Sequence, residues 1–329
     1  MILELAASSI TPTLKKPSSP DDFDRWDKEF TSYMKPYNNL VDKLLDCNYY
    51  DFGSRMFMDV GIVGSEKFYY FLDNAKELNG HKLYFYPMLE KKENDYINAY
   101  IMRGAKDFPL TYDCSKLSSD EDVSFFNPSD EYPIKIMKEL RLKTFKKIRD
   151  DRIYEDSNGF IISAELAKKF TEVSLSGYEL TPVKDCKSKN NHENMYCLTA
   201  MNILQPSEKN IFQYEGRNFY TGEKTLPYEG TMIYKEKALE KIKDFNYPCE
   251  ATHRETSRTD MIVSKKFKEF CEQENIKGVD FIPVFIKDCD LYYEYIELVT
   301  NLCKELIESN PKHKIGYAKI NPCDILEKL

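Results

Sequence analysis

Glycine is scarce in this chain, 12 of 329 residues, and the scarcity excludes glycine-rich phosphate cradles. Neither GxGxxG nor GxxxxGK[ST] occurs, so nucleotide binding by the backbone N–H groups of such a loop has no support. Histidine is scarcer still. His81, His192, His253 and His313 stand in no HExxH, HxH or HxxxD arrangement, and none pairs with a cysteine at metal-ligand spacing. The nine cysteines are odd in number and form no CxxC pair, which excludes a zinc ribbon and a dithiol redox motif. Scattered thiols in a chain of this size suit a reducing compartment. No apolar run approaches the roughly eighteen residues that a membrane span needs. The opening "MILELAASSITPTLKK" carries Glu4 inside its apolar run and lacks a basic lead-in, so it makes a poor signal peptide. These absences set the expectation of a cytoplasmic protein with no metal, no cofactor and no membrane contact.

A basic excess is also missing. The formal net charge is −8 and the sequence pI about 5.3, which disfavours nucleic acid as a partner because phosphate contacts need a basic field. The same charge suits a basic protein partner, since complementary fields steer and speed association. What the chain has in quantity is aromatics, 24 Tyr and 20 Phe, in a composition 42% hydrophobic and 31% charged. That composition predicts a packed globule that leans on aromatic cores.

Two stretches repeat each other without a gap. "FIISAELAKKFTEVSLSGYELTPV" (160–183) and "MIVSKKFKEFCEQENIKGVDFIPV" (261–284) are offset by 101 positions throughout. Ile161 meets Ile262, Ser163 meets Ser264, Gly177 meets Gly278 and Pro182 meets Pro283. The apolar, partly β-branched start of each copy predicts a buried strand. The serine is placed to cap a helix by accepting from free N–H groups of the first turn. Leu166 and Phe170, then Phe267, Phe270 and Cys271, mark the inward helix face. The glycine sits past the helix end, where a left-handed residue costs little. An apolar alternation running to proline predicts a second strand with the proline at an edge or end. The expected fold is therefore α+β, mixed sheets with a duplicated strand–helix–strand unit. In this reading Ser163, Ser264, Gly177 and Gly278 are structural caps, and no residue is assigned a catalytic role. A degenerate third copy is conceivable at 62–87, with Ser65, Phe68, Leu72, Gly80 and Pro87 in the same order.

Elsewhere, helices are expected near Trp26 to Tyr33 and over Leu40 to Leu45. Strands are expected at Lys82 to Met88 and Tyr96 to Met102, with "EKKEND" as a hairpin-like turn between them. "CSKLSSDEDVSFFNPSDEYP" (114–133) reads as an acidic loop, which divides the chain into an N-terminal α+β region (1–115), a linker (116–132) and a second α+β domain (133–329). A basic helix is expected from Ile134 to about Arg149, then a strand at Met195 to Leu204. A one-sided helix over Leu291 to Ser309 should turn Tyr295, Leu298, Val299, Leu302, Cys303 and Leu306 inward.

The order of these motifs resembles the bacterial immunity protein 11 family. The resembling elements are the doubled "[IV][IV]S-x-x-[LF]-x(10)-G-[VY]-x-[FL]-x-P-V" unit, the strand Tyr196 to Leu204 and "IFQ" at Ile211 to Gln213. The resemblance is strongest over about 155 to 290. Members are found beside polymorphic toxins delivered between competing cells. The resemblance implies protection without catalysis: the protein binds a cognate toxin and blocks its active site or substrate access, and the poor export signal sets the expectation that this toxin acts in the cytoplasm. Two stretches combine the steering acids and aromatic anchors that such an inhibitor needs. One is Asp120, Glu121 and Asp122 with Phe125 and Phe126. The other is Asp288, Asp290 and Glu294 with Tyr292 and Tyr293. Core packing claims the four aromatics equally well. Two other readings stay open, an enzyme centred on Thr252 to Arg258 around His253, and a nucleic-acid adaptor using the basic residues of 138–149.

Overall fold

The computed structural model describes residues 1–9, several between 28 and 39, 49–51, 56–75, 81–104, 123–126, 134–137, 141–142, 148–156, 159–185, 191–205, 207–208, 216–217, 224–225, 231–248, 260–309 and 313–315. The chain divides into two compact units, residues 1–90 with 293–329, and residues 91–292. The boundaries expected at 115/116 and 132/133 do not coincide with this division. The reason is strand pairing, because a strand at 99–104 belongs to a sheet built from residues 202–283.

In the first unit, β1 (Ile2–Ser9) lies between β3 (Met56–Ile62) and β4 (His81–Met88), antiparallel to both. β2 (Tyr49–Asp51) flanks β3, and a strand at His313–Ile315 runs parallel to β4. Helix α1 (Glu66–Ala75) starts where the Phe68 N–H donates to Ser65 Oγ at 3.2 Å. Phe68 and Phe71 on its inner face are buried, as are Leu3, Val60 and Phe85 of the sheet. The long helix Asp290–Ser309 buries Tyr295, Ile296, Val299, Leu302, Cys303 and Leu306. Tyr295 O–H donates to the Phe85 carbonyl at 3.1 Å. The expected sidedness of this helix holds, except that Leu298 is only half-buried while Ile296 is in the core. Residues 28, 29, 31 and 32 are helical within the expected N-terminal helix; Leu40 to Leu45 lie outside the described residues.

The second unit opens with a helical turn, α2 (Lys91–Asn94), and then β5 (Ala99–Gly104). The hairpin expected across "EKKEND" is therefore not formed, since β4 and β5 pair in different sheets. β6 (Val123–Phe126) and β7 (Ile134–Met137) form an antiparallel pair, and β8 (Arg141–Leu142) follows. The expected helix over 134–149 is thus replaced by strands in its described part. Alternation of apolar and polar residues in "IKIM" won over the helical period. Likewise, the stretch read as a solvated loop contains β6.

The two repeated stretches follow the same local course. β9 (Tyr154–Asp156) and β10 (Gly159–Ser163) lead into α3 (Ala164–Glu172), then β11 (Tyr178–Asp185) and β12 (Asn191–Ala200). After β13 (Asn202–Ile203), β14 (Gly216–Arg217), β15 (Lys224–Thr225), β16 (Ile233–Tyr234) and α4 (Glu236–Leu239), the pattern recurs. β17 (Phe245–Tyr247) and β18 (Met261–Ser264) lead into α5 (Lys265–Gln273) and β19 (Val279–Pro283). Ser163 Oγ accepts from the Leu166 N–H at 3.1 Å, and Ser264 Oγ from the Phe267 N–H at 3.2 Å. Each helix ends in a left-handed residue, Ser174 and Asn275, both with φ 52°.

The strand order shows what each unit needs. β10 and β11 do not touch, because β12 runs antiparallel between them. β18 and β19 are likewise separated by β5, and in the first unit β3 and β4 are separated by β1. The registers agree. Tyr196 faces both Ile162 and Pro182, and Tyr100 faces both Val263 and Pro283. In the first unit, Leu3 faces Pro87 and accepts from the Val63 N–H at 2.9 Å. Gly64, at φ 88°, supplies one extra residue before Ser65. The described residues of the three sheets therefore share one arrangement, while Gly80 of the stretch 62–87 lies outside the described residues.

Within the second unit the two repeated modules lock by exchange. The Phe245 N–H, on the strand that opens the second module, donates to Ser176 in the turn of the first at 3.1 Å. The Ile153 N–H, preceding β9, donates to Lys277 in the turn of the second at 2.9 Å. Between the modules lies an aromatic core. Phe170 of α3 meets Phe267 and Phe270 of α5 edge-to-face at 5.6 and 5.7 Å, and Phe245 packs on Phe170 and Phe267 at 5.5 and 4.5 Å. Burying each such ring contributes roughly 1.5–3 kcal/mol over leaving it in water.

The exchange explains Gly177 and Gly278. Both have positive φ, 81° and 89°, and both lie against the partner module's backbone. A Cβ at 177 would stand 2.6 Å from the Phe245 carbonyl oxygen, and one at 278 would overlap the Ile153 carbonyl and sit 2.9 Å from Arg152 Cγ. Gly177→Ala and Gly278→Ala are each expected to destabilise by at least about 2 kcal/mol, from left-handed strain plus overpacking. Urea unfolding of the variants checks this, with Gly64→Ala, which meets nothing within 4 Å, as the milder comparison.

Candidate functional site

The expected contact segment Asp288–Glu294 is held from behind. β20 (Phe285–Ile286) pairs in parallel with β16, and the Lys287 N–H donates to the Tyr234 carbonyl at 2.8 Å. The Lys287 ammonium then donates to Glu208 Oε2 at 3.0 Å, while Lys235 reaches Glu208 Oε1 at 3.1 Å. Those two cations, Lys287 first, hold the Glu208 carboxyl below its usual range. Asp288 follows in the left-handed region at φ 67°, which Asp tolerates better than most residues. The chain reverses there. The Cys289 N–H returns to the Ile286 carbonyl at 3.3 Å, and Asp290 begins the long helix.

Asp288 and Asp290 are both exposed at this anchored turn. Tyr292 is half-buried, its ring 6.4 Å from that of Phe285. One of the two expected anchors is therefore partly used in packing, and Tyr293 is the more exposed, at 46%. Glu294 is exposed and accepts from the Met1 amino group at 3.0 Å. In the other expected segment, Asp120, Glu121 and Asp122 lie outside the described residues. Phe125 and Phe126 lie on β6, opposite Lys135 and Ile134. The stretch Thr252 to Arg258, with His253, is also outside the described residues. Of the basic residues expected on a helix at 138–149, Arg141 lies on β8. Arg149 is paired through two N–H donors with Asp151, at 2.9 and 2.6 Å, which holds that carboxyl below its usual range.

Several buried polar groups of the second unit are engaged with one another. Asp244 Oδ1 accepts from Ser264 Oγ at 2.6 Å, and its Oδ2 accepts from the Ser176 N–H and O–H at 2.7 and 2.8 Å. One carboxylate thus ties the turn of the first module to the helix cap of the second. Asn246, fully buried, donates to the Lys243 and Ile262 carbonyls and accepts from the Lys243 N–H and from Asn202 Nδ2. Arg103 Nε donates to the buried Asp260 at 3.0 Å. Tyr100 donates to Asn94 Oδ1 at 3.3 Å with the Lys268 ammonium 5.2 Å from its ring centre. Burial, followed by nearby carboxylates, drives its phenol well above the ordinary value. Among the described residues, no group of three or more His, Cys, Asp or Glu is gathered to hold a metal ion. No helix there is long and apolar enough to cross a membrane.

Two outcomes follow from these contacts. Ser163→Ala removes one cap and is expected to cost about 1 kcal/mol. Ser264→Ala also strips a donor from the Asp244 carboxylate and is expected to cost roughly 2–3 kcal/mol; thermal or urea unfolding checks the order. Cys271 and Cys303 are buried, and desolvation drives both thiols far above their ordinary range. Alkylation of the native protein followed by mass spectrometry is therefore expected to leave both unlabelled until denaturant is added.

No family model matches the chain, and no curated protein matches it.

Proposed function

We propose that this chain is an immunity protein, which binds a cognate bacterial toxin acting in the cytoplasm and neutralises it by protein–protein contact rather than by catalysis. The observation that carries the reading is the turn at Asp288 and Asp290. Two exposed carboxylates stand at a left-handed turn braced by β20 and by the Lys287–Glu208–Lys235 cluster. Tyr293 and Glu294 lie exposed in the next residues of the helix. A rigidly held loop with acids and an aromatic is the form a binding loop takes. The net charge of −8 supplies a field that attracts a cationic substrate cleft, such as that of a nuclease. Buried Asp244 and Asn246, the polar groups otherwise suited to chemistry, bond to serines, amides and backbone of the scaffold. The resemblance of the doubled motif to the immunity protein 11 family supports the same reading.

The test is co-expression with the protein encoded by the adjacent gene. The adjacent product alone is expected to arrest growth, and this chain to restore it while forming a stable complex. A harmless adjacent product, or one that this chain does not bind, overturns the reading. In the complex, Asp288→Lys with Asp290→Lys is expected to slow association about tenfold at low salt and to flatten its salt dependence, measured by stopped-flow or interferometry.

A further inference from the structure

We draw no further inference here: the strongest candidate, the sheet face of the 1–90 unit on which Ile2, Ile62 and Met88 stand exposed, carries none, because nothing in the structure shows what covers it.

Discussion

A strand–helix–strand unit whose two strands run parallel with one position open between them leaves two rows of backbone N–H and C=O groups unpaired. Buried groups of that kind cost too much to leave unsatisfied, so a strand from elsewhere must enter antiparallel and serve both rows. Everything else in this architecture follows from how that slot is filled. In the first repeated module the filler is local, β12, reached from β11 by a short connection. In the second it is β5, which lies before either repeat. In the 1–90 unit it is β1, before the strands it separates. Three solutions to one requirement decide which stretches of sequence share a core.

The second unit carries this dependence furthest. β18 and β19 complete their pairing only on β5, and β5 thereby links residues 99–104 to a sheet otherwise built after residue 200. Its core joins the same segments: Ala99, Ile101, Ile262 and Val284 pack with Leu204, Met232, Tyr234 and Leu239. The exchange of turns between the modules adds a second non-local tie, with Asp244 holding Ser176 and Ser264 at once. Long-range pairing of this kind costs loop-closure entropy before it returns contact energy. Local signals strong enough to form without it are therefore needed. The capped helices α3 and α5 are such signals.

Those local signals are what the sequence made legible. The serine caps, the inward residues Leu166, Phe170, Phe267, Phe270 and Cys271, and the glycines past each helix are short-range features whose physics acts within a few residues. The slot fillers are not marked in that way. "MYCLTA" and "AYIMRG" both place a tyrosine opposite the module's proline, but neither belongs to the repeat at its fixed offset, and register is a property of two distant strands. The same limit produced the errors around 134–149 and across "EKKEND". There, local period and turn composition pointed one way, and partners far along the chain decided. At the candidate surface, the exposed acids of 288–290 could be read from composition. The partial burial of Tyr292 required knowing that β20 carries Phe285 beneath it. An i, i+3, i+4, i+7 count over "EKFYYFLD" separates Phe68 and Phe71 from Tyr69 and Tyr70 directly.

The slot constraint also bears on where binding function can reside. Inner faces are occupied by packing, strand edges near the prolines are blunted because proline offers no donor, and the module junction is consumed by Asp244, Asn246 and the aromatic core. What stays free to vary without disturbing pairing is the outer face of a crossing helix and the turn after a last strand. Two modules close their helices against each other through Phe170, Phe267 and Phe270, which removes part of those outer faces from use. The sheet of the 1–90 unit also meets the long helix, whose Tyr295 O–H donates to the Phe85 carbonyl. With the inner faces and the module junction taken up by packing, the exposed turn at Asp288 and Asp290 is a place where side chains can change without disturbing strand pairing.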